Sequence, residues 1–237
     1  MYLPETKIKT VKRLLILHTL PEWHFIIQTF TYPHKGRLLD INLRYDDQGV
    51  VLAGPIFSSP KVALLLEFLR EKGLRETLAI GWAGKNPEGN LKLGDLLIPN
   101  KAISLEGTTK FYFENKDIFE VNNHIFTNTK ELLRRFKIPF KVGTILTADA
   151  PWRIEHIKRR IEALKKNKID IEALDMETSA YYGILEFYRI TGIALHFISD
   201  EIGWFTNKRP EGIMKSQRRR LSLFVEHFLK NGFEIIA

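Results

Sequence analysis

Residues 171–184, IEALDMETSAYYGI, pass from a short apolar strand pattern straight into a helical one, with Asp175-Met176-Glu177 at the joint. The same construction returns where Ile193-Ala194-Leu195-His196-Phe197-Ile198 stops at Ser199-Asp200-Glu201. Strands that alternate with helices bury their apolar faces in a layered α/β sheet. Other segments obey the same rule. Leu14-Leu15-Ile16-Leu17, Val51-Leu52-Ala53-Gly54-Pro55, Leu78-Ala79-Ile80-Gly81-Trp82-Ala83-Gly84 and residues 91–99 read as strands or strand ends. Residues 62–69, closed by Gly73, read as a helix. Ile154, Ile157, Ile161 and Leu164 fall at helical spacing, as do Leu221, Phe224, Val225, Phe228 and Leu229. The pattern predicts an α/β fold: one domain over residues 1–237 with a mixed, mostly parallel central sheet flanked by helices.

In open α/β sheets the ligand crevice lies outside the carboxyl ends of the strands. Asp175, Glu177, Ser199 and Asp200 would therefore reach one rim. A carboxylate at a helix start is also ordinary, because it favours the positive end of the helix dipole. What adds weight is the neighbouring strand with Gly81 and Gly84, since a strand glycine marks close approach of a ligand or a second backbone.

Composition excludes several classes. The chain has no cysteine, which removes disulfides, thiolate metal sites and a cysteine nucleophile. Seven histidines are scattered without the paired spacing of a zinc hydrolase, so no metal and no cofactor is expected. His196, inside an apolar run, reads as a satisfied core residue. No apolar stretch approaches the roughly 18 residues that span a bilayer, and the N-terminus lacks a signal pattern, so a soluble, cytoplasmic protein with no membrane partner is expected. The missing cysteine and abundant Lys and Glu fit a thermophile. The net charge of +8 concentrates at Lys215-Ser216-Gln217-Arg218-Arg219-Arg220, which reads as a solvated helix face rather than a nucleic-acid patch.

Gly81-x-Ala83-Gly84, then Leu93-Gly94-Asp95-Leu96-Leu97, then Asp175-Met176-Glu177, then Ser199-Asp200 occur in one order across residues 78–200. In this the chain resembles the nucleoside phosphorylase and nucleosidase superfamily, whose members cut the N-glycosidic bond of nucleosides. The resemblance implies a nucleoside partner, a homo-oligomer (dimer or hexamer), and a division of labour. Asp200, oriented by Ser199, would protonate the departing purine. Glu177 would accept hydrogen bonds from the ribose hydroxyls, with Met176 packed on the sugar. The base would lie near Gly81, Trp82 and Ala150, with Trp152 either stacked on it or buried as plain core. Glycosidic cleavage builds positive charge on the sugar and negative charge on the base, so an acid at one and acceptors at the other suit it. Asp175 and Glu177, two apart, should point different ways.

The acceptor is where the chain departs from the family. Phosphorolytic members carry an arginine and a hydroxyl around the first glycine, where this chain has Ala79 and Trp82. The early Gly-Asp-Pro phosphate loop is replaced by His18-Thr19-Leu20-Pro21-Glu22. Losing a bidentate arginine weakens phosphate binding. Hydrolytic members place a glutamate here to activate water, which makes Glu22 the candidate base, with a plain helix-start carboxylate as its alternative. Lys35, Arg37 or Arg44 would be substitute phosphate ligands. A nucleosidase is favoured over a phosphorylase, and over a binding protein without turnover suggested by Trp82 and Lys85. The 5′ substituent would be read by loops 105–120 and 204–210.

Overall fold

The run Leu14–Leu17 forms the heart of strand β1 (Arg13–Leu17), whose four apolar residues are sealed from solvent. In the computed structural model, which describes residues 8–202 and 211–236, β1 pairs in parallel with β4 (Val50–Gly54) and β5 (Glu76–Lys85). On the far side of β5 lies β10 (Thr191–Glu201), also parallel. Such strands, covered on both faces, need near-continuous apolar sequence, and these have it.

A second set, β6 (Leu96–Leu105), β8 (Lys141–Ala148) and β9 (Ala173–Asp175), is parallel within itself. It runs against the first set at both joints, β10 with β6 and β5 with β9. The sheet is thus mixed, and these five strands close into a ring, since β10 meets both β5 and β6. The hairpin of β2 (His34–Leu38) and β3 (Ile41–Tyr45) extends the far edge, and β7 (Ile118–Glu120) adds to β6.

Helices cover the faces. Helix α1 (Leu20–Thr29) follows β1, and α2 (Ser59–Arg70) buries Val62, Leu65, Leu66 and Leu69 at helical spacing. The side chain of Asn122 caps α3 (Asn123–Arg135) by accepting from two backbone amides. Helix α4 (Ile154–Lys166) covers a small satellite core containing Ile103, Leu146 and Leu174. Helices α5 (Thr178–Tyr188) and α6 (Glu211–Asn231) pack on the main core. Among the described residues no helix is long and apolar enough to cross a membrane.

Candidate active site

The turn between β4 and α2 braces one wall of the site. Ile56 donates its N–H to the Leu17 carbonyl (3.1 Å), and its own carbonyl receives His18 Nδ1 (2.9 Å). Two residues on, Ser58 adopts φ 87°, a conformation that L side chains rarely take. That backbone aims its N–H at Glu177 Oε1 (2.6 Å), while Ser59 Oγ donates to the Met176 carbonyl (2.8 Å). One short turn therefore holds both the ring at the end of β1 and the Met176-Glu177 joint.

Asp175 is fixed from other directions. Thr147 Oγ1 donates to its Oδ1 (2.7 Å), and Thr178 N–H to its Oδ2 (2.9 Å). Thr178 Oγ1 also meets Asp175 Oδ2 and lies 2.7 Å from His196 Nε2. Asp175 and Glu177 thus hold separate partners, as their spacing predicts, yet both line one cavity. Burial pushes the Glu177 carboxyl up to about 8, helped by the Asp175 charge. Burial also raises Asp175 and pushes His196 down to about 4. His196 is fully buried, the core placement its apolar run predicts. The Gly81 position is open to no larger residue without displacement, for a Cβ there would lie 2.9 Å from His18 Cδ2 and 3.0 Å from His196 Nδ1.

Opposite stands Asp200, half-buried, with Ser199 Oγ donating to its Oδ1 (3.3 Å). The β10 to β5 ladder pairs Ile198 with Ala83 and then Asp200 with Gly84, so Ser199 is a bulge. Bulges re-aim side chains beside active sites. Here the extra residue sets Asp200 on the face opposite buried Ile198, and Gly84 makes room, because a Cβ there would sit 3.0 Å from Asp200 Oδ1. Lys85 is turned to an ion pair with Glu201 (2.6 Å).

These groups share a cavity of about 240 Å³ that also meets His18, Thr19, Phe57, Trp82 and Trp152. Trp152 is 65% exposed, so it is not core; it forms an aromatic wall of the cavity, with Phe57 also exposed. Three sequence candidates fall outside the lining. Gly81 lies beneath it against the two imidazoles, and Ala150 is exposed. Glu22, in the first turn of α1, is 2% exposed and paired with Arg218 Nε of α6 (2.7 Å), and it meets the lining through the Thr19 hydroxyl. Arg218 therefore departs from the solvated face expected of residues 215–220, being 8% exposed, because Glu22 draws it inward. Lys35, Arg37 and Arg44 lie on the β2–β3 hairpin and do not line the cavity. Residues 204–210, one of the loops expected to read the 5′ substituent, lie outside the described residues. Among the described residues no group of three or more His, Cys, Asp or Glu is placed to hold a metal ion.

A family model described as the phosphorylase superfamily matches residues 17–230. The chain belongs to the phosphorylase superfamily. It is a nucleosidase or nucleoside phosphorylase, the membership that its motif order implied. A DeoD-type purine nucleoside phosphorylase of Brevibacillus brevis is 23% identical over 186 residues, 75% of this chain and 77% of the relative. In fold, the chain is similar to the purine nucleoside phosphorylase of Toxoplasma gondii solved with immucillin-H (TM-score 0.77, 13% identity, 95% of this chain and 92% of that one). It is similar too to the 5′-methylthioadenosine/S-adenosyl homocysteine nucleosidase of Campylobacter jejuni (TM-score 0.72, 17% identity, 93% and 99%). What sequence reasoning passed over in this phosphorylase-superfamily chain is mainly His18 and the threonines Thr147 and Thr178. His18 had a signal, for it ends an apolar strand as Asp200 does. The threonines had none, since their role depends on three strands meeting.

Proposed function

We propose that this chain hydrolyses the N-glycosidic bond of a purine-type nucleoside. In this reading Asp200 donates a proton to the departing base, positioned by the Ser199 bulge, and Glu177 accepts hydrogen bonds from the ribose hydroxyls beside Met176. Trp152 stacks on the base. The observation that carries the choice of water over phosphate is the charge of the lining. It contains Asp175, Glu177, Asp200 and Glu201 but no lysine or arginine side chain among the described residues. A doubly charged anion buried without a cation is strongly disfavoured, whereas water needs only a hydrogen-bond acceptor.

Phosphorolysis is the second reading, favoured by the phosphorylase named as the Brevibacillus brevis relative. The two part cleanly in one assay. Purified protein is given adenosine, inosine and 5′-methylthioadenosine with and without phosphate, and free base and sugar are measured. Hydrolysis predicts base release in phosphate-free buffer with the free sugar as product. Strict dependence on phosphate, with the sugar 1-phosphate as product, would overturn it.

A further inference from the structure

We propose that His18 holds the attacking water and takes its proton. The inference deepens the hydrolytic reading and rests on it. Sequence pointed to Glu22 for this task, but the Glu22 carboxylate is held by Arg218 and Thr19 and stays behind the lining. His18 stands in front of it, at the cavity itself.

The tautomer follows from the backbone. A carbonyl can only accept, so the bond to Ile56 places the hydrogen on Nδ1 and leaves the lone pair on Nε2. His18 is 2% exposed yet lines the cavity, and no described residue hydrogen-bonds Nε2. The ring cannot swing away easily. Gly81 beneath it leaves just enough room, and the ring stacks on His196 with centroids 6.3 Å apart. The same turn that grips Nδ1 grips Glu177, so the acceptor and the sugar site are held in one frame.

Three groups set its charge state: the Ile56 carbonyl, His196 on β10 and Asp175 at the end of β9. Burial and His196 press the imidazole down to about 4, so it is neutral at pH 7. So weak a base suits the step. As the C1′–N bond breaks, its electron pair passes to the base nitrogen, which takes the Asp200 proton. Water forms the new C1′–O bond, and the resulting oxonium, a strong acid, releases a proton to His18 Nε2. Solvent then carries that proton away and restores the Asp200 proton. The sum is nucleoside plus water giving sugar plus free base.

Two substitutions separate this role from a structural one. H18N keeps a donor near Nδ1 for Ile56 and loses the acceptor at Nε2; H18Q keeps an acceptor oxygen near Nε2 and gives up the Ile56 bond. A water acceptor predicts that kcat for H18N falls by about 10²-fold with little change in KM, and that H18Q exceeds H18N by about tenfold. A structural role predicts the opposite order, because the Ile56 bond would be what matters. If H18N does not fold, the order is read from H18Q against H18A: clear superiority of H18Q supports the assignment, and equality overturns it. The substrate is whichever of adenosine or inosine the wild type cleaves faster in phosphate-free buffer. No base release by wild type would sink the hydrolytic reading itself. Release by wild type with H18N within twofold of it would sink only the role of His18.

Discussion

Replacing Glu177 by Gln makes permanent the uncharged form that burial favours, and the effect is a stability that changes with pH. The folded carboxyl titrates at about 8, against 4.5 for the same group in the open chain. Between those limits the folded protein keeps a proton that the unfolded chain has released, so wild-type stability falls as pH rises. The slope is about 1.4 kcal/mol per pH unit for one group, which over the whole window gives an upper bound of about 5 kcal/mol. The amide of E177Q has no such slope, and its carbonyl oxygen still accepts from Ser58 N–H. His18 and His196, both held down to about 4, act the other way, adding stability as pH rises from about 4 to 6.5. They are present in both proteins and cancel in the difference. Urea unfolding of wild type and E177Q at pH 5, 6.5 and 8 is the assay. The wild-type advantage over E177Q should shrink, or its disadvantage grow, by about 2 to 4 kcal/mol from pH 5 to pH 8. A pH-independent difference would refute the buried-carboxyl reasoning.

Asp200→Asn should lower kcat on purine nucleosides by about 10² to 10⁴-fold while leaving nucleoside binding near wild type, because the amide keeps the shape and loses the proton. Steady-state base release with an equilibrium binding measurement checks it. Arg218→Met should cost about 3 to 5 kcal/mol in denaturant unfolding, since it strips the buried Glu22 carboxylate of its cation and leaves it only the Thr19 hydroxyl among the described residues. The double variant R218M/E22Q should recover most of that loss, and failure to recover would mean the pair is not what holds α6 there.

Much of this was legible in the chain. The strands are apolar runs with definite ends, and helices α2, α4 and α6 carry their apolar residues at helical spacing, so element type followed from period alone. Met176, Glu177, Ser199 and Asp200 were visible because they interrupt such runs, and the structure gathers all four at one cavity. What sequence could not show were long-range pairings. That Arg218 would leave its basic run to meet Glu22, 196 residues away, depends on how α6 lies on α1. That β6, β8 and β9 run against β5 and β10 depends on ring closure, which no local period encodes. Trp152 was undecidable between core and wall because an indole suits both, and only its exposure separates them.

The extra residue at Ser199 bears on how such a chain can gain or lose its chemistry. Were β10 regular there, Ser199 would stand opposite Gly84 and Asp200 opposite Lys85, on the same side as Ile198, because side chains alternate along a strand. The Ser-Asp dipeptide would be unchanged letter for letter, and the carboxylate would point elsewhere. Among relatives of this chain, the register in which the aspartate pairs with the neighbouring strand is therefore more informative than the presence of the aspartate. A change that let β10 pair regularly at its full length would reach that state: an intact motif, a more regular sheet and no acid at the base.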